Sequence, residues 1–61
     1  MAWIVKEGTY ILYAGVTGSD ALDKFISVTE KEPKSLRFKA VTDYCNGKTD
    51  IKVNRYTLRW Q

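Results

Sequence analysis

The chain has no histidine and a single cysteine among its 61 residues. Without histidine it lacks the side chain that most often transfers protons near neutral pH, and Cys45 has no imidazole to activate its thiol. One thiol cannot form a disulfide within the chain, and it leaves a zinc site short of ligands. We therefore predict that the protein is not an enzyme, holds no cofactor or metal and has no small-molecule substrate.

Long apolar runs are missing as well. The longest, over residues 10–16, is far short of the ~20 residues that a membrane-spanning helix needs. Lys6 and Glu7 interrupt the apolar start, so no signal peptide is visible. A lone cysteine is also atypical of small secreted proteins, which usually carry several pairs. These features predict a soluble, cytoplasmic protein with no membrane partner.

The length predicts one small domain over residues 1–61, and the initial methionine indicates a free-standing protein. A chain of this size buries only about 60% of the surface that its unfolded form exposes, so its stability is marginal. Without disulfides or a metal, good packing or association with another chain must supply the rest. The net charge of +3 is uneven, because most basic residues follow Pro33. This asymmetry favours an anionic partner for the C-terminal half.

The N-terminal half predicts a hairpin and a helix. Residues 2–5 and 9–14 are rich in β-branched and aromatic side chains, with Glu7 and Gly8 as the predicted turn. Ser19 and Asp20 are typical of a helix start, and Pro33 requires the helix to end before it. The predicted apolar stripe of this helix consists of Ala21, Leu22, Phe25, Ile26 and Thr29.

The C-terminal half predicts a second hairpin. Apolar and polar residues alternate over 36–45, Asn46 and Gly47 are the favoured pair for a two-residue turn, and residues 51–60 form the returning strand. The apolar phase of this last strand slips, which a bulge near Asn54 and Arg55 would correct. We therefore predict an α+β fold, a small β-β-α-β-β antiparallel sheet with one helix packed across it.

Two alternatives to this fold stay open. Residues 35–46 also fit a second helix, with Asn46 and Gly47 at its C-terminus. The strand interpretation sets Asp43 opposite Asp50, where like charges are unfavourable. We prefer strands because Phe38, Val41, Thr42 and Tyr44 are better strand formers than helix formers. The other alternative is a small β-barrel-like fold, which would bury both faces of the first hairpin.

The first hairpin is apolar on both faces, and a single helix can cover only one of them. An uncovered apolar face usually marks an interaction site. We therefore predict a small protein-binding module that acts as an inhibitor or adaptor, of the kind that phages and mobile elements often encode. Its partner is another protein or a second copy of the chain. The predicted protein-binding residues are Trp3, Ile4, Tyr10, Ile11 and Tyr13.

Nucleic-acid binding is the alternative function. A basic two-stranded ribbon can enter a groove of nucleic acid, and Lys and Arg contacts to phosphate supply most of the non-specific affinity. Tyr56 and Trp60 would add base stacking to such a ribbon. The predicted nucleic-acid-binding residues, all assigned to the basic C-terminal hairpin, are Arg37, Lys39, Lys52, Arg55 and Arg59.

Overall fold

The computed structural model describes all 61 residues, which form one antiparallel sheet and two helices. The elements in chain order are β1 (Trp3–Glu7), β2 (Tyr10–Gly15), α1 (Gly18–Val28), α2 (Lys34–Cys45), β3 (Asp50–Val53) and β4 (Tyr56–Trp60). The strand order across the sheet is β2-β1-β4-β3. Each hairpin thus gives its inner strand to the centre of the sheet and its outer strand to an edge. The predicted α+β class is confirmed.

Both helices pack on the same face of the sheet. Val5 of β1 pairs with Leu58 of β4, and neither side chain exposes any surface. The rest of the core comes from both helices and from β3, namely Ala21, Phe25, Ala40, Ile51 and Val53. Because side chains alternate along a strand, the residues between these core positions lie on the opposite face. No element of the chain covers that face, which we call the open face.

Helix α1 forms where its residues predict it. Asp20 lies in the first turn, where the helix dipole favours a negative charge. Ala21 and Phe25, one turn apart, are both buried against the sheet. Thr29 follows the last turn, and its hydroxyl donates a hydrogen bond of 2.7 Å to the carbonyl oxygen of Phe25. This bond satisfies a buried hydroxyl and helps to end the helix.

Helix α2 corrects the preferred assignment of residues 36–45, because the helix that we kept as the alternative forms there. Asn46 and Gly47 end this helix and do not turn a hairpin. The Gly47 amide donates to the carbonyl oxygen of Tyr44 at 3.0 Å, and Gly47 has a φ of 89°. As a helix, the segment buries Ala40 in the core and removes Asp43 from its unfavourable position opposite Asp50. Burial therefore outweighs the strand propensity of Phe38 and its neighbours.

Both hairpin turns also differ from prediction. The predicted single strand over residues 51–60 is wrong, because β3 and β4 form a hairpin within it, which we call the second hairpin, with β1–β2 as the first. Asn54 and Arg55 are its two-residue turn, with φ at +53° for Asn54, and not a bulge. This turn sets Val53 opposite Tyr56, which explains the phase slip in the sequence. In the first hairpin, Glu7 pairs with Tyr10, so the turn lies at residues 8–9. The register of that hairpin then shifts between Val5 and Lys6, where β2 contains one extra residue.

An aromatic cluster joins the helices to the sheet. The ring of Trp3 lies 5.5 Å from that of Trp60 on the neighbouring strand and 5.5 Å from that of Tyr44 on α2. Gly18 begins α1 beside this cluster, and a Cβ atom there would approach the Trp3 indole nitrogen to 3.1 Å. A larger residue at position 18 would thus push the cluster apart. Neither helix has the length and apolar character needed to cross a bilayer.

Candidate protein-interaction surface

The open face carries two rows of side chains that cross all four strands. From β2 to β3, strand pairing gives one row as Ala14, Ile4, Arg59 and Asp50, and the other as Ile11, Lys6, Thr57 and Lys52. We call Ala14, Ile4 and Ile11 the apolar half of this face, and Asp50, Lys52, Thr57 and Arg59 its charged half. Lys6 lies between the two halves. The open face is therefore not uniform, and its apolar residues gather on the first hairpin.

Three of the five residues predicted to bind protein lie on accessible parts of the first hairpin. Ile4 and Ile11 belong to the apolar half, and Ile11 is 61% exposed. Tyr10 begins β2 at the end of the hairpin and is 76% exposed, so little of its ring is in contact with the rest of the chain. These side chains are large and apolar or aromatic, and such residues supply most of the binding energy at protein interfaces.

The other two, Trp3 and Tyr13, lie on the face that the helices cover. Both are half-buried and pack against the core. The Tyr13 ring lies over Gly15, where a Cβ atom would come within 2.9 Å of the ring carbon Cζ. The alternation of side chains along a strand correctly predicts that Trp3 and Ile4 lie on opposite faces of the sheet. It does not predict on which of these faces the helices pack. These two aromatic residues therefore stabilise the hairpin by packing against the core and are not part of the open face.

Ala14 is the surface residue that the sequence analysis missed. It pairs with Ile4 because β2 contains one extra residue before it. The predicted register, with its turn one residue earlier and no extra residue in β2, pairs Ile4 with Ile11 and leaves Ala14 beyond the pairing. Only the alternation of Ala14 with Tyr13 could have indicated its face, and that signal needs the register shift to be known. Its small side chain adds to the apolar half without blocking approach to the strand edge.

The outer strand β2 is an uncharged sheet edge. It has six residues, YILYAG, without a charge or a proline, and one side of its backbone has no strand partner. At about 3.4 Å per residue, it presents roughly 20 Å of edge. Natural edge strands usually carry charges, prolines or β-bulges or are very short, because an open edge pairs readily with another chain. Of these features, β2 has only the bulge at its extra residue. The opposite edge β3 follows this rule, with four residues that include Asp50 and Lys52.

The five basic residues predicted to bind nucleic acid do not form one ribbon. Arg37 lies on α2, where its Nη2 donates to the carbonyl oxygen of Ile26 at 3.1 Å, and Lys39 is exposed on the same helix. Only Lys52, Arg55 and Arg59 belong to the second hairpin. Arg55 lies 3.9 Å from Glu7, and Arg59 lies 3.4 Å from Asp50. Two of these three cations thus already have a carboxylate beside them.

No protein-family model, curated protein or solved structure matches this chain. The interpretation of its surfaces therefore rests on their geometry and chemistry.

Proposed function

We propose that this protein is a non-catalytic protein-binding module, an inhibitor or adaptor that docks a partner on β2 and the apolar half. The observation that carries this proposal is the edge strand β2, which is uncharged, lacks proline and has no strand partner. An extended segment of a partner that adds to such an edge gains main-chain hydrogen bonds along its length. The partner's side chains then reach the open face beside Ile4 and Ile11.

The side chains around this edge supply the apolar contribution. Tyr10 and Ile11 are largely exposed at one end of β2 and point to opposite faces of the sheet. On the open face, Ala14 and Ile4 continue the surface of Ile11 toward the other end of the strand. An aromatic side chain can bury about 150–250 Å², and each Å² of apolar surface removed from water contributes about 25 cal/mol. Tyr10 and Ile11 are thus the residues with the most to gain from a partner.

The partner in this proposal is another protein or a second copy of the chain. Two copies can pair β2 with β2 in antiparallel orientation, since no charge on the strand opposes the pairing. We place the protein in the cytoplasm, where its exposed single thiol, Cys45, stays reduced. Small inhibitors and adaptors of phages and mobile elements are the class that this size and make-up fit.

Nucleic-acid binding is the second candidate, and one observation favours it. Lys6 and Lys52 flank Thr57 in one row of the open face, in a chain of net charge +3. Exposed ion pairs are weak, so phosphate could draw Arg55 and Arg59 from their carboxylates. However, the positive surface is small, because Arg37 and Lys39 belong to α2 and not to the sheet. We therefore rank protein binding first.

The test compares Ile11→Glu with Thr57→Glu. Both substitutions place a glutamate next to Lys6 in the same row of the open face, so they lower the net charge equally and can form the same cross-strand ion pair. Only Ile11→Glu puts the charge on the edge strand. The measurements are native mass at rising protein concentration, capture of partners from cell lysate, and retention on nucleic acid across a salt series.

We expect Ile11→Glu to weaken protein capture or self-association by at least about tenfold, while Thr57→Glu changes it little. Equal losses from both variants, together with nucleic-acid retention that falls steeply with salt, would instead establish the second candidate. If neither variant changes any binding, β2 is not a docking edge. Circular dichroism of both variants checks that the sheet is intact.

A further inference from the structure

A groove of about 270 Å³ lies between the two helices. Its lining comes from α1 and α2 alone, so it belongs to the helical layer and is separate from the open face of the sheet. The lining residues are Ile26, Lys34, Arg37, Phe38 and Val41. Three of these side chains are apolar and two are cationic, and no carboxylate is among them. The groove thus has a mainly apolar lining that includes two cationic residues.

Phe38 is an apolar side chain of this groove that lies largely in solvent. The side chain is 76% exposed, although it stands on the same helix as the buried Ala40. Apolar residues of α2 therefore point to more than one side of the helix. A helix that packs on one side usually keeps polar residues on the other, as α1 does with Asp23 and Lys24. The exposed apolar side of α2 is unexplained by the fold of this chain.

The two cations of the groove are also unfavourable for the fold. Lys34 is the first residue of α2, and the first turn contains no acidic residue. A positive charge there opposes the helix dipole, which favours anions at that end. The Nε of Arg37 is buried and has no hydrogen-bond partner, although its Nη2 binds the carbonyl oxygen of Ile26. Both features are costs to stability, and an anionic ligand beside Lys34 would relieve the first of them.

We propose that this groove docks an acidic amphipathic segment of a partner protein. The segment places an apolar side chain against Ile26, Phe38 and Val41, and its carboxylates lie toward Lys34 and Arg37. Charge complementarity selects an acidic occupant, because the lining has two cations and no anion. The size selects a segment, since sites for whole small molecules span about 300–1,000 Å³. A groove at the lower limit holds one or two side chains of a longer chain.

This site is independent of the docking edge β2, because the two lie in different layers of the molecule. A protein that uses both surfaces would hold two partners at once. Occupation of the groove would therefore favour the role of an adaptor over that of a simple inhibitor.

The experiment measures binding of a synthetic 15-residue peptide with leucines at positions 4, 8 and 11 and glutamates at the flanking positions. A matched peptide carries glutamine in place of every glutamate. Fluorescence polarisation gives the affinity, and amide chemical shifts of the labelled protein give the location. The variants are Lys34→Glu and Phe38→Ser, with Lys39→Glu as the control. Lys39 is exposed on the same helix but does not line the groove, so its reversal changes the net charge equally.

We expect the acidic peptide to bind at least about tenfold more tightly than the glutamine peptide, with shifts confined to the groove. Lys34→Glu should weaken binding about tenfold and yet raise the melting temperature, because it places an acid in the first turn of α2. Phe38→Ser should abolish binding, whereas Lys39→Glu should keep the affinity within about threefold.

Three results would overturn this proposal. One is an acidic peptide that does not bind, or binds no better than the glutamine peptide. Another is an equal loss of affinity in Lys39→Glu and Lys34→Glu, which would mean that the peptide responds to the net charge of the protein and not to the groove. The third is a set of shifts on β2 or the open face instead of the groove. Ile11→Glu separates the two sites, because it should leave this affinity unchanged whether or not β2 is a docking edge.

Discussion

Hairpin β1–β2 and hairpin β3–β4 have the same architecture and opposite outer surfaces. Each places an inner strand at the centre of the sheet and an outer strand at its edge, and each buries apolar side chains under the helices. On the open face, the first hairpin presents Ile4, Ile11 and Ala14 with Lys6 as its one charge, whereas the second presents Asp50, Lys52 and Arg59. On the face that the helices cover, both hairpins therefore carry the apolar side chains that form the core. Only the open face and the edges distinguish them.

The difference shows what folding alone requires of such a hairpin. Hairpin β3–β4 has the charged, short edge of a strand that ends a sheet in water. It shows that this fold tolerates charges on the open face and at an edge. Hairpin β1–β2 carries none on its outer strand, although nothing in the core demands their absence there. The proposed binding role would account for this uncharged edge, which the packing of the core does not require.

The largest expected effect tests what the hairpins share. Leu58 lies on the inner strand of the second hairpin, fully buried and paired with Val5 of the first. Leu58→Ala should lower the free energy of unfolding by about 2–5 kcal/mol, which is a large part of the ~5–15 kcal/mol that small proteins possess. Because both hairpins pack on this position, both should unfold together. Urea unfolding followed by tryptophan fluorescence measures the loss, since Trp3 and Trp60 lie in contact where the two hairpins meet.

The matched control is Ile4→Ala, which lies next to this pair but on the open face. It should cost less than about 1 kcal/mol, because substitutions of partly exposed side chains remove little buried surface. A cost for Ile4→Ala equal to that of Leu58→Ala would mean that the open face is covered in solution. In that case, the loss should depend on protein concentration, as it does for a protein stabilised by self-association.

Sequence reasoning predicted the elements of the first hairpin and α1 because their signals are local. Asp20 and the spacing of Ala21 and Phe25 define the helix without reference to the rest of the chain. The extent of the open face could not be predicted in the same way. One residue of difference in the turn and one extra residue in β2 decide the pairing of Ile4 with Ala14. Neither feature has a strong signature in the sequence.

Residues 36–45 show the other limit of sequence reasoning. Phe38, Val41 and Tyr44 favour a strand by propensity, yet the segment is helical. The sheet already has four strands, and the covered face beside β3 needs Ala40 and Tyr44 to fill it. The helix was also hard to predict from the spacing of its apolar residues, because these residues lie on two sides of α2. One side packs on the core, and the other includes Phe38, which lines the groove.

A smaller effect should follow when the second hairpin is given the surface of the first. Lys52 is exposed on the edge strand β3, so Lys52→Ile adds an apolar side chain there and removes a charge. We expect unchanged folding but self-association at concentrations where the original protein shows none, since edge charges suppress strand pairing. Sedimentation velocity at rising concentration measures it. Lys52→Gln is the control, because it removes the charge without adding apolar surface.

Self-association of Lys52→Gln equal to that of Lys52→Ile would assign the effect to net charge alone. If the Lys52→Ile variant stays monomeric, the contrast between the charged edge β3 and the uncharged edge β2 has no effect on association. This result would mean that an apolar edge residue is harmless in this fold, and the uncharged β2 would then need no partner to explain it.

The smallest expected effect concerns the ion pair of the charged half. Arg59 and Asp50 lie 3.4 Å apart, and more than half of each side chain is exposed to solvent. Pairs of this kind contribute about 0–1 kcal/mol, so Asp50→Asn should barely change the melting temperature at low salt and less still at high salt. A loss well above 1 kcal/mol would show that the pair is structural and that the second hairpin needs its charges in order to fold. Unchanged stability would mean that folding does not need these charges and that their effect is to keep the edge strand β3 from pairing with another chain. The edge strand β2 has no such charges, so it would remain the edge at which we expect a partner to bind.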